Sequence, residues 1–192
     1  MLSRLEKERY LRHIMLEDVG EEGQLKLLKS SVLVVGAGGL GSAVLMYLCA
    51  AGIGKIGIVD FDVVEMSNLQ RQIIHSQDFL NQSKASSAKA HLKQLNAGIE
   101  IEIFEERFKD HNALSLIEPY DFIIDATDNF NAGCIQTSEC LKYFLGFETL
   151  LINTLLIADI KTMDFKKIQA PKNPECRVFG THKITHLQDY EI

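Results

Sequence analysis

The sequence predicts an α/β fold, a doubly wound and mostly parallel sheet with helices on both faces. Three observations predict it: short β-branched runs alternate with helical stretches, a glycine-rich loop follows the first such run, and an acidic residue ends the second. With 192 residues, 46% of them hydrophobic, the chain is long enough to bury a real core.

The elements follow in order. Ser3-Arg4-Leu5-Glu6 has capping-box spacing, and Tyr10, Leu11, Ile14 and Met15 make one apolar stripe, so an amphipathic helix opens the chain. Leu25, Leu27 and Leu28 suggest a second short helix. Val32-Leu33-Val34-Val35, ended by glycines, reads as a buried parallel strand. Then come a helix from about Leu40 to Ala51, a strand from Ile56 to Asp60, a helix from Lys84 to Leu95 and a strand from Glu100 to Phe104. A helix from Asn112 to Glu118 and a strand from Phe122 to Asp125 complete the alternation. Further on, Cys134 to Leu145 is helical in pattern, and Leu151 to Ile160 and Met163 to Ile168 read as strands joined tightly at Lys161-Thr162. The expected organisation is one nucleotide-binding domain over 1–170, with N-terminal helices (1–30), a core (31–132) and a closing helix and strands (133–170), followed by a tail, 171–192.

Composition narrows the function. A net charge of −6 argues against a general nucleic-acid binder, which needs a basic face for phosphates. The charged stretch from Met1 to Arg9 has no apolar run of the secretory kind, and no later segment approaches a membrane span, so no membrane partner and a cytoplasmic location are expected. The four cysteines, Cys49, Cys134, Cys140 and Cys176, show no disulfide framework. Cys49 and Cys140 sit in apolar stretches as small hydrophobes.

Gly36-Ala37-Gly38-Gly39-Leu40-Gly41 joins the first strand to the next helix, the context in which backbone N–H groups approach a phosphate. Gly36, Gly38, Gly39 and Gly41 are the candidate cofactor glycines. Asp60 falls where a carboxylate meets a ribose. This Rossmann-like pair leaves NAD and ATP both open.

The run Asp60-Phe61-Asp62-Val63-Val64-Glu65-Met66-Ser67-Asn68-Leu69-Gln70-Arg71-Gln72 is more specific. Lys84 follows in Ser83-Lys84-Ala85-Ser86, and then comes Asp125-Ala126-Thr127-Asp128-Asn129-Phe130. Singly, Arg71 or Lys84 reads as a solvated charge and Asp128 as a turn or cap residue. In this order, with Arg9-Tyr10-Leu11-Arg12 and the glycine loop, residues 1 to 132 resemble the adenylation half of the ThiF/MoeB/HesA family, relatives of ubiquitin-activating enzymes. The chemistry suits the residue types, because attack on the α-phosphorus of ATP needs cations on the triphosphate and a carboxylate for Mg²⁺.

The resemblance implies ATP-dependent adenylation of the C-terminal glycine of a ubiquitin-like sulfur-carrier protein ending in Gly-Gly, for thiamin or molybdopterin biosynthesis. It implies Gly39 at the phosphates, Asp60, with Asp62 beside it, at the nucleotide, Asn68, Arg71 and Lys84 on the triphosphate, and Asp128 on magnesium. It also implies a homodimer in which Arg12 reaches the site from the other subunit. The alternatives are a non-catalytic nucleotide-binding remnant or regulatory dimer partner, and an NAD-dependent oxidoreductase.

The resemblance breaks after Ala132. Gly133 to Lys142 resembles a late family helix and Thr154 to Pro174 the closing strands, so the sheet is expected to be shortened in its C-terminal half, as if an internal segment were missing. Where the family has a zinc Cys-x-x-Cys, this chain has Cys176-Arg177-Val178-Phe179, so structural zinc is not expected. Cys176, His182 and His186 read more simply as tail residues, and Cys134 as a packed helix cysteine. His13, His75, His91 and His111 receive no role.

Overall fold

The computed structural model describes residues 1–127, 133–159 and 164–170. Its helices are α1 (Arg4–Arg9), α2 (Leu11–Ile14), α3 (Gly20–Lys29), α4 (Gly39–Ala51), α5 (Lys84–Leu95), α6 (Asp110–Ile117) and α7 (Gly133–Leu145). The strands are β1 (Ser31–Val35), β2 (Lys55–Val59), β3 (Glu100–Phe104), β4 (Phe122–Asp125), β5 (Thr154–Asp159) and β6 (Asp164–Gln169).

The four strands β1 to β4 form one parallel sheet in the order β3-β2-β1-β4, with Val35 beside both Val59 and Asp125. The chain winds one way from β1 out to β3 and then crosses back to β4, so β1 and β4 flank a topological switch point. Side chains alternate across β1. Val32 and Val34 join the larger core beneath α3, α4, α5 and α7, whereas Leu33 and Val35 face α6 with Val59, Leu116 and Tyr120. Helices therefore cover both faces, unequally. Val32, Leu33 and Val34 are fully buried, and burial of each such side chain contributes about 1.5–3 kcal/mol.

The opening helix differs from expectation. It breaks at Tyr10 into α1 and α2, because Tyr10 turns inward, packs its ring on Gly52 and accepts a hydrogen bond from Asn96 Nδ2 at 2.9 Å. A side chain tied to the far end of α5 takes a place in the core at the expense of helical continuity. The capping box at Ser3 and Glu6 is present.

Downstream, β5 and β6 pair antiparallel as a hairpin separate from the parallel sheet, and Leu155, Ile157, Phe165 and Ile168 are exposed on it. The connection expected at Lys161-Thr162 lies outside the described residues. No helix among the described residues is long and apolar enough to cross a membrane.

Candidate nucleotide site

A cleft of about 810 Å³ opens at the carboxyl ends of β1, β2 and β4, within the size range of small-molecule sites. Its floor is the glycine loop. Gly36 leaves β1 with φ +98°, a left-handed value that disfavours any side chain, and its N–H donates to the Val59 carbonyl at 2.8 Å. Gly41 lets the first turn of α4 lie against this loop, since a Cβ there would collide with the Gly36 carbonyl. Gly38 caps α4 without a side-chain hydrogen bond, so the helix presents backbone N–H groups and its positive dipole end toward the cleft.

Asp60 ties the loop to β2. Its Oδ2 accepts from Ala37 N at 2.7 Å and its Oδ1 from Asp62 N at 2.8 Å. An ionised carboxylate has about four acceptor positions, so two remain for a ligand. Asp62 Oδ2 in turn pairs with Lys84 Nζ at 2.9 Å. Lys84 starts α5 behind the Ser83 cap, and its side chain is buried while Asp62 is half exposed. Arg71 stands on the same wall, its Nη1 donating to the Ser67 carbonyl at 3.3 Å.

The cleft thus gathers Gly36, Gly38, Gly39, Asp60, Asp62, Arg71 and Lys84. Gly41 and Asn68 do not line it. Gly41 acts through packing, and Asn68 is a buried turn residue whose Oδ1 accepts from Glu65 N at 3.1 Å and whose carbonyl accepts from Arg71 N and Gln72 N. Arg12 is exposed on α2, away from the cleft of its own chain. Asp128 lies outside the described residues, as do Cys176, His182 and His186. Among the described residues no cluster of three or more acidic, histidine or cysteine side chains could hold a metal.

Several wall residues escaped the sequence reading. Gln72 is buried beside Gly38, with its Oε1 lacking a hydrogen-bond partner. On the opposite wall run Glu106, Arg107, Phe108 and Lys109, with the Arg107 guanidinium 4.1 Å over the Phe61 ring. Their position directly after β3, at the carboxyl edge of the sheet, was the available signal. His75 is buried beneath the floor. Its Nε2 contacts the Ala37 carbonyl at 2.9 Å and its Nδ1 contacts Ser87 Oγ at 3.0 Å. Burial pushes this imidazole below its ordinary value, and nearby Lys84 and His91 reinforce the shift against the Ala37 contact and Asp60.

Residues 10–133 match the sequence profile of the ThiF family. The chain belongs to the ThiF family. A family relative, adenylyltransferase and sulfurtransferase MOCS3 of Anopheles gambiae, is 48% identical over 133 residues, 69% of this chain and 30% of the relative. The probable adenylyltransferase/sulfurtransferase MoeZ of Mycobacterium tuberculosis is 51% identical over 129 residues, 67% of this chain and 33% of the relative. This ThiF-family chain therefore spans about a third of the length of the curated relatives it matches.

Among solved structures, Escherichia coli MccB with succinimide superposes with a TM-score of 0.79 at 18% identity, covering 94% of this chain and 75% of that one. The E. coli tRNA N6-threonylcarbamoyladenosine dehydratase TcdA in complex with AMP gives a TM-score of 0.63 at 26% identity, over 72% of this chain and 58% of that one. The likeness of fold to MccB covers 94% of this chain, against 69% and 67% for the two sequence relatives.

Proposed function

We propose that this chain uses ATP to adenylate the C-terminal glycine of a ubiquitin-like sulfur-carrier protein; the names of its relatives, adenylyltransferase and sulfurtransferase, support adenylation linked to sulfur transfer. The observation that carries the reading is the convergence of Lys84, Arg71 and Asp60 with the glycine loop on one cleft. A carboxylate oxygen of the carrier attacks the α-phosphorus, the bond to the bridging oxygen of the pyrophosphate breaks, and acyl-adenylate and pyrophosphate result.

Each side chain has work to do in that step. The N–H groups at the start of α4 bind phosphate oxygens. Lys84 and Arg71 stabilise the charge that collects on the departing pyrophosphate, with Lys84 exchanging Asp62 for a phosphate oxygen. Asp60 uses its remaining lone pairs to accept from ribose hydroxyls. Gln72, beside Gly38, offers a further amide toward the triphosphate. Asp128 would hold the magnesium that accompanies the triphosphate, and that ion would supply neutralisation of the phosphate charge. Arg12 acts from the second subunit of a homodimer.

The test is ATP–pyrophosphate exchange with Mg²⁺ and a carrier ending in Gly-Gly. Carrier-dependent exchange, lost in Asp128→Ala, is the expected result. Nucleotide and carrier binding by a folded dimer without exchange would replace this reading with that of a non-catalytic partner.

A further inference from the structure

We propose that His75 is a positioning residue, which fastens the glycine loop to the helix carrying Lys84 and so holds the phosphate-gripping elements in one arrangement. The inference rests on the nucleotide reading above.

Ala37 sits in the middle of the loop, and its peptide groups are held on two sides. Its N–H donates to Asp60 Oδ2 at 2.7 Å, and its carbonyl faces His75 Nε2 at 2.9 Å. A carbonyl can only accept, so Nε2 carries the hydrogen, and in the neutral ring Nδ1 accepts from the Ser87 hydroxyl at 3.0 Å. Ser87 lies one helical turn beyond Lys84 on α5, so the same face of that helix bears the cation and the anchor. The backbone N–H of His75 donates to the Gln72 carbonyl at 3.0 Å, which ties in the segment carrying Arg71. Three stretches facing the cleft therefore meet at His75: those around 36–39 and 84 through its buried imidazole, and that around 71–72 through its backbone N–H. His75 itself does not line the cleft, and its effect on a nucleotide passes through the groups it holds.

Side-chain replacements separate the two contacts. A glutamine amide nitrogen can reach the place of Nε2 and keep the bond to Ala37, whereas leucine leaves that buried carbonyl without its donor. The experiment measures AMP–CPP affinity with Mg²⁺, hydrogen exchange of the amides of residues 36–41, and the ¹⁵N imidazole spectrum of the full chain. In the wild type the spectrum should report a neutral ring with hydrogen on Nε2. His75→Leu should weaken AMP–CPP about tenfold and quicken amide exchange in the loop, Ser87→Ala should weaken it about threefold, and His75→Gln should stay within about threefold of wild type. In pyrophosphate exchange the leucine variant should both raise KM for ATP and lower kcat.

A folded leucine variant with wild-type affinity and loop exchange would overturn the proposal, as would hydrogen on Nδ1. If glutamine fails as badly as leucine, the imidazole is merely a packing element and the proposal falls. Should the leucine variant not fold, the glutamine and Ser87→Ala variants carry the test. A wild type that binds no AMP–CPP would sink the nucleotide reading, and loop exchange and the ring spectrum would still decide whether the fastening exists.

Discussion

Lys84 Nζ lies 2.9 Å from Asp62 Oδ2, an ion pair in which the cation is buried and the carboxylate faces the cleft. Lys84 is thus already partnered, and any phosphate that approaches it must compete with Asp62. Lys84→Met is expected to weaken nucleotide binding and to lower pyrophosphate exchange about 100-fold, as loss of one preorganised transition-state contact does. Asp62→Ala leaves a buried ammonium without its counter-charge and should destabilise the free protein by about 1–2 kcal/mol. ATP supplies a substitute anion, so thermal melts with and without ATP should show a larger ligand-induced rise in Tm for Asp62→Ala than for wild type.

Gly41 is expected to tolerate no side chain although it does not line the cleft. An alanine Cβ meets the Gly36 carbonyl, and that obstacle is backbone that cannot rotate away. The loop or the first turn of α4 must shift. Gly41→Ala should cost about 1–3 kcal/mol of stability and lose most of the nucleotide affinity. Denaturant melts and AMP–CPP titration measure the two effects on one preparation.

What was legible in the sequence was local. Asp60 stands out because a β-branched strand ends there, whereas Lys84 alone reads as a solvated charge and stands out only through the order of the motifs around it. The α/β alternation was legible for the same reason: each strand and helix carries its own periodicity. Contacts between distant segments were not. Nothing around His75 indicates that its ring meets Ala37, 38 residues away, and Ser87, 12 residues away. Tyr10 continues a helical stripe in sequence yet breaks the helix, because its partner Asn96 lies 86 residues on. Neither Gly41 nor Asn68 lines the cleft, and that Gly41 packs its helix on the Gly36 carbonyl is invisible without the third dimension.

Cys49 and Cys140 are expected to be chemically silent. Both are fully buried, and burial pushes their thiols up to about 11 and about 12. At pH 8 Cys49 is ionised in only about one molecule in a thousand, and the thiolate is the reactive form. Brief treatment of native protein with an alkylating reagent, followed by peptide mass mapping, should leave both unmodified, and unfolding in guanidinium should expose them. Modification of either in the folded state would contradict this burial.

Away from the cleft, Lys55, Glu102 and Tyr120 form a second polar group. Glu102 accepts from Lys55 Nζ at 2.8 Å and from the Tyr120 hydroxyl at 2.9 Å, and Lys55 lies 5.2 Å over the Tyr120 ring. The hydrogen bonds from Lys55 and Tyr120 hold the Glu102 carboxyl below its usual 4.5. With a folded value below the unfolded one, the stabilisation is complete above pH ~4.5 and disappears as pH falls through the folded value. The group is partly exposed, so solvent limits its worth to about 1 kcal/mol. Glu102→Gln should accordingly lower Tm modestly at pH 7, with the difference from wild type closing near pH 3. Because Glu102 takes no part in lining the cleft, AMP–CPP affinity at pH 7 should be unchanged, and a loss of affinity would mean that this end of the sheet communicates with the glycine loop.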